Sequence, residues 1–290
     1  MVPHKFKWCQ ELTPDNSENR GRLMKWLMDT LGVYEHDIKC FRSRVELYRE
    51  ELQWLCSLGL QFQSVANFGC NIGTETFALA WFLNAREAVG LDKDQRDIAQ
   101  ALKTRHDFQE HISGIKKLAK FHSHELPQDF RARLQSIITE YQDRPVPNFD
   151  EGDMIGRTSL PSNHFDLAYC KLVLNHIACN DGEQASHNAL LAIQEMIRVV
   201  KPGGLVVAIE PKTCSPDDNK PLNLHPLFEQ AGVVPFQIPT NVVLPENKNV
   251  YIYRKPGAAS GPGQSDFQRG VRSQLLTALE DRATASFSGG

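Results

Sequence analysis

The sequence predicts an α/β fold, a doubly wound and mostly parallel seven-stranded sheet with helices on both faces, a helical N-terminal extension and a helical insertion. Three observations predict it. From Ser64 onward, short apolar runs alternate with stretches of helical spacing, the order in which parallel strands and crossover helices follow one another. The run from Val65 to Phe68 breaks into G-C-N-I-G, with glycines at Gly69 and Gly73, and a second apolar run ends in Gly90-Leu91-Asp92. A glycine-punctuated strand end with an acid about twenty positions on is what a nucleoside-binding α/β unit needs.

The elements follow in order. Between Gly21 and Gly59, Leu23, Trp26, Leu27 and Leu31, then Val45, Tyr48, Leu52 and Leu55, recur at helical spacing and predict a helical extension. A strand over Val65 to Phe68 leads to a helix from about Thr74, a strand ending at Asp92 and a helix from about Gln95. Further strands fall near Phe149 to Glu151, Phe165 to Cys170 and Leu205 to Glu210. A helix from about Glu183 to Val200 precedes the last, and Lys201-Pro202-Gly203-Gly204 reads as a turn that stops it. A helix around Leu224 to Ala231, stopped at Gly232, leads to runs at Val234 to Ile238 and Val250 to Arg254 that would close the sheet as a hairpin. Residues 1–62 thus read as a helical cap and 63–255 as the main domain. The insertion spans about 103–147, with its own stripe at Phe130, Leu134, Ile137, Ile138 and Tyr141. Residues 256–290 read as a glycine-rich linker and a mobile tail with a weakly amphipathic stretch around Val271 to Leu279.

The bulk properties narrow the partners. A chain of 290 residues, 41% hydrophobic, holds a sizeable core, and a net charge of −3 gives no global pull toward nucleic acid or an anionic membrane. The seven cysteines are scattered and form no C-x-x-C pair, which argues against a zinc or redox site and for a reducing, cytoplasmic compartment. The start lacks an apolar signal region, and no apolar run approaches the ~20 residues needed to span a bilayer. His122 and His124 lie too close together in sequence to share a metal and read as surface residues. Between Lys103 and Asp150 basic and acidic residues nearly balance, unlike a phosphate-tracking surface.

Which nucleoside the turn serves is a matter of its glycines. A dinucleotide fingerprint needs G-x-G-x-x-G, but Asn71 and Thr74 stand where the second and third glycines belong, and no phosphate-binding G-x-x-x-x-G-K-[ST] occurs. What remains suits a nucleoside without phosphates. From about Ser64 to Lys255 the chain resembles a class I S-adenosylmethionine (SAM)-dependent methyltransferase. V-A-N-F-G-C-N-I-G resembles that family's first motif and G-L-D its ribose-binding acid. G-D-M with L-P-S-N-H-F-D-L-A-Y-C resembles the adenine turn and fourth strand, M-I-R-V-V-K-P-G-G-L-V-V the lead into strand five, and L-F-E-Q-A-G the last helix. The five segments occur in the family's order.

The resemblance implies a cofactor set of Asn67, Gly69, Cys70, Asn71, Gly73, Asp92, Lys93, Asp153, Met154, Cys170 and Lys171. Gly69 and Gly73 would let the backbone pass under the methionine part of SAM, and they also read as an ordinary strand-to-helix turn. Asp92 would accept both ribose hydroxyls, or cap a helix. Asp153 would take the adenine amino group with Met154 against the ring, or the pair forms a turn and a core methionine. Cys170 and Lys171 end the fourth strand, where backbone would touch the methionine moiety. Asn67 departs from the family, which usually carries an acid there to hold the cofactor's ammonium.

SAM brings its own leaving group, so the implied reaction needs chiefly an acceptor aligned behind the methyl. His176, six residues after Cys170, is the candidate base, or a rim histidine that only packs, and Asn175 would orient the acceptor. N-P-P-Y, D-P-P-Y and Pro-Cys motifs are absent, which turns the expectation to the O, N or C atom of a small organic acceptor. The cap and insertion would form a lid, with Phe121, Phe130 and Tyr141 lining the pocket or filling the insertion's own core. Two alternatives stand beside this: a SAM-binding scaffold that activates a partner, and a methyltransferase for protein or RNA reached through Lys116, Lys117 and Lys120.

Overall fold

Strand β1 (Ser64–Phe68) is buried along its whole length, as a continuous apolar run at the centre of a parallel sheet must be. The computed structural model describes residues 17–121, 127–180, 184–214 and 221–257. Around β1 it orders seven strands as β3-β2-β1-β4-β5-β7-β6, with β2 (Glu87–Asp92), β3 (Asn148–Glu151), β4 (Phe165–Lys171), β5 (Val200–Pro211), β6 (Val234–Pro235) and β7 (Lys248–Arg254). Pairs among β1 to β5 are parallel, and β7 runs antiparallel to both β5 and β6. The predicted fold class and its closing hairpin are therefore present. The winding reverses between β1 and β4, which opens a crevice at their carboxyl ends.

Side-chain parity divides the sheet's two cores. Val65, Leu167, Tyr169, Leu205, Val207 and Ile209 face one layer, while Ala66, Phe68, Ala168, Cys170, Val206 and Ala208 face the other. The first layer holds α1 (Ser17–Glu46), α2 (Arg49–Cys56), α3 (Thr74–Phe82), α4 (Gln95–Phe121) and α5 (Gln128–Tyr141). The second holds α6 (Leu174–Asn180), α7 (Ala185–Val199) and α8 (His225–Gln230).

Helix α1 is longer than its two apolar stripes implied, because Tyr34, Ile38 and Phe41 continue the 3-4 spacing between Leu31 and Val45. Phe41 meets Phe77 of α3 edge-on at 4.8 Å and Trp81 at 5.7 Å, so this extension shares the domain's core. Phe130 and Tyr141 are buried in that core as well. The placement of Phe121's side chain, of His122 and His124, and of the stretch from Val271 to Leu279 lies outside the described residues.

Three predicted boundaries shift. The helix after β2 continues to Phe121, which absorbs the first part of the insertion. Lys201-Pro202-Gly203-Gly204 does not separate helix from strand: Val200 is already extended and pairs with Phe165, and the four residues form a register shift within β5, with Gly203 at φ 83°. Strand β6 is confined to Val234–Pro235, although the Phe236 N–H still donates to the Ile252 carbonyl at 2.9 Å.

Candidate active site

The glycine turn is built around φ values that side chains resist. Gly69, Asn71 and Gly73 lie at +72°, +48° and +86°, and asparagine is among the few non-glycine residues that occupy this region routinely. Asn71 thereby keeps the backbone path of a glycine while adding a side chain, whose Nδ2 donates to Asp97 at 3.2 Å and whose Oδ1 accepts the Ile72 N–H at 2.7 Å. A Cβ on Gly69 would fall well inside contact of Val173 Cγ2, and one on Gly73 would sit 2.7 Å from the Phe149 ring. The glycines thus meet an internal packing demand.

Asp92 ties three strand ends together. Its Oδ2 accepts the Asn71 N–H at 2.8 Å and its Oδ1 the Asp94 N–H at 3.0 Å, while its carbonyl accepts the Gly152 N–H at 3.0 Å. The Gly69 and Cys70 N–H groups both donate to the Leu91 carbonyl, at 2.8 and 2.9 Å. The bond from Gly152 places Asp153 next along the same rim. The Asp153 side chain is exposed, holds the Ile155 N–H at 3.0 Å and keeps free acceptor capacity. Met154 is buried among the core residues that include Phe68 and Leu91. Lys93 is exposed beside Asp92, and Cys70 is buried, with burial foremost among the causes that push its thiol far up.

Asn67 is fully buried. Its Nδ2 donates to Thr76 Oγ1 at 3.0 Å, while its Oδ1 has no partner, an orphaned acceptor beneath the turn. Cys170 faces the second core, fully buried, with its thiol driven up by burial. Lys171 faces the first. Its ammonium pairs with Glu51 of α2, lies 3.4 Å from Glu75 of α3 and sits 5.0 Å from the Tyr48 ring centre. Burial raises the Glu75 carboxyl to about 7, against the opposing pull of Lys171, and the Tyr169 hydroxyl donates to it at 3.3 Å.

These acceptors suit an uncharged ribose and adenine: two carboxylates with unused lone pairs stand on one rim, with backbone in place of phosphate-binding groups. Residues 115–208, about a third of the chain and spanning β3 to most of β5, match the family model described as a methyltransferase domain. Residues 115–208 thus carry a methyltransferase domain. No curated protein matches the chain in sequence. Among solved structures it is similar to a SAM-dependent methyltransferase from Methanosarcina mazei, at 13% identity and TM-score 0.45, covering 70% of this chain and 97% of that one. It is also similar to one from Aquifex aeolicus, at 14% and 0.46, covering 73% and 97%. A third likeness is the N-methyltransferase NodS of Bradyrhizobium japonicum WM9 with S-adenosyl-l-homocysteine, at 14% and 0.44, covering 74% and 86%.

In this methyltransferase domain α6 follows β4 at the carboxyl-end rim. Leu172 turns the chain at φ +57°, and the N–H groups of Val173, Leu174 and Asn175 donate to the Glu210 carboxylate at 3.1, 2.9 and 3.2 Å. Glu210 is fully buried at the end of β5, and burial lifts its carboxyl to about 7 against those three donors. Asn175 is buried with its Oδ1 unpartnered, whereas His176 is exposed. His176 follows Val173, the residue against Gly69, by about one helical turn, so helical spacing puts both on one face.

Sequence reading missed Glu210, Glu75 and the Lys171 network. The signal for Glu210 is an acid ending the apolar run V-V-A-I-E, since parity sends it to the α6 side, opposite Lys171's face. The reading of scattered, unlinked cysteines is corrected at one pair. Cys179, late in α6, is bonded to Cys214 beyond β5, with Cα atoms 5.6 Å apart despite a separation of 35 residues. Spacing along the chain holds no trace of such a pairing. No helix among the described residues is long and apolar enough to cross a membrane.

Proposed function

We propose that this methyltransferase acts on a small organic acceptor, entering at the β4 rim between the glycine turn and α6. The observation that carries this reading is the latch of Lys171 to Glu51 and Tyr48. It joins the N-terminal helices to the strand-four rim, so that those helices stand beside the place where the acceptor would enter. When bound, SAM supplies a methyl on a sulfonium leaving group. The protein's part is then positional. Asp92 would hold the ribose hydroxyls, Asp153 the adenine amino group, the Gly69–Gly73 turn and the Cys170–Lys171 backbone the methionine portion, and Asn67 Oδ1 would accept from the ammonium side through water.

His176 is the group that would take the acceptor's proton, being exposed on the helix face that Val173 shares with the glycine turn. Asn175, whose Oδ1 lacks a donor, would orient the acceptor. Transfer of label from SAM into a metabolite extract, with mass spectrometry of the product, tests the acceptor class. Label confined to protein or RNA would overturn the small-acceptor reading. His176→Ala should lower turnover while leaving SAM affinity intact, and unchanged turnover would remove the base role.

A second reading is favoured by Asn67, whose neutral amide stands where the family usually has a charge. In it the chain binds SAM and activates a partner. SAM binding without label in any fraction, together with a copurifying partner, would select it.

A further inference from the structure

One feature of the insertion belongs to neither the cofactor rim nor the acceptor side. Helix α4 starts beside the glycine turn, where Asp97 receives the Asn71 amide, and runs away from it. At 1.5 Å per residue, Lys116 lies roughly 28 Å further along the helix axis. There α4 and the chain from the end of α5 to Val146 border an open concavity of about 480 Å³. Its cations are Lys116, Lys117 and Lys120 from α4 and Arg144 from across the gap, and Ile112 and Val146 contribute apolar wall.

The charges in this cavity are uncompensated from within. None of its described lining residues is acidic. Among the described residues none of the three lysines has a carboxylate partner within ion-pair distance, whereas Arg42 pairs with Glu140 and Arg133 with Glu35. Arg144 has its guanidinium 5.4 Å from the Trp81 ring centre, which orients it without neutralising it; the acid that feels it, Glu46, is already bonded by Arg49. Four like charges converging on one concavity repel one another, and in a chain of net charge −3 they are a local departure from the whole.

We propose that this cavity is a second ligand site, for a small organic phosphate, separate from the methyl-transfer site. Lysine and arginine together suit phosphate, since the ammonium groups act as point charges and the guanidinium as a fork. The volume falls in the range of small-molecule sites. The apolar wall gives the organic part a surface that inorganic phosphate cannot use. A concave site of this size favours a small ligand over a polymer backbone, which needs an extended track.

The test uses the full chain and 1-naphthyl phosphate as probe, followed by calorimetry at low and moderate salt. The expected result is saturable binding, tighter than that of inorganic phosphate, weakening as salt rises, and weakened on the order of tenfold or more in Lys117→Gln/Lys120→Gln. Both lysines are solvent-exposed, so the double variant should fold, and unchanged SAM affinity would show that it has. Absence of saturable binding would overturn the proposal, as would undiminished binding in the double variant or inorganic phosphate binding as tightly as the probe. Displacement of the probe by a single-stranded oligouridine at far lower concentration would overturn it in favour of a polymer. None of these outcomes depends on the acceptor at the methyl-transfer site.

Discussion

The Asn71 N–H donates to Asp92 Oδ2 at 2.8 Å, joining the glycine turn after β1 to the acid that ends β2. The same carboxylate accepts the Asp94 N–H on its other oxygen, so both oxygens are held in fixed directions before any ribose arrives. A preorganised acceptor pair of this kind gives up little freedom on binding.

Asp92→Ala removes the carboxylate proposed to hold the ribose and the bonds that fix the turn. Calorimetric SAM affinity should weaken by on the order of 2 to 4 kcal/mol. Unchanged affinity would remove Asp92 from the cofactor site.

Gly69→Ala meets two costs. A φ of +72° strains any side-chain-bearing residue, and its Cβ would press on Val173. Denaturant titration should show roughly 2 to 4 kcal/mol of lost stability. Adding Val173→Ala should return the steric portion and leave the conformational one, so a double variant no better than Gly69→Ala would disprove the Val173 contact as the cause.

Glu210 makes stability depend on pH. Its folded carboxyl stands at about 7, above the ordinary value of 4.5, because burial outweighs its three backbone donors. The folded protein thus holds a proton that the unfolded chain has released, and stability is fully present below about 4.5 and falls as pH rises through 7. The loss is on the order of 3 kcal/mol for this one group. Glu75 acts in the same direction. Urea denaturation between pH 4.5 and 8 should show the decline, and Glu210→Gln should flatten it while keeping an acceptor for α6. An equally steep profile in that variant would contradict the assignment.

Lys171→Met leaves Glu75 buried without its cation. Stability should fall by about 2 to 4 kcal/mol at pH 8 and by less at pH 5, where Glu75 is protonated. Glu75→Gln in the same chain should recover part of the loss. A deficit independent of pH would mean that Lys171 contributes packing alone.

The sequence by itself determined the sheet, the glycine turn and the acid that ends β2. Apolar runs, glycines and strand-end acids are local signals, and the residues from Val65 to Asp92 carry them within one β-α-β unit. The boundary at Lys201-Pro202-Gly203-Gly204 misled because a turn and a strand irregularity use the same residues, and only pairing with β4 distinguishes them. What the tertiary structure alone decided is which distant side chains share a site. Strand parity sent Lys171 to Glu51 and Glu75, and Glu210 to the start of α6. The bond between Cys179 and Cys214, and the meeting of Arg144 with the α4 lysines, come from elements far apart in the chain. A near-balanced charge count over the insertion concealed that last cluster, because electrostatics depends on separation in space and a sum along the chain does not.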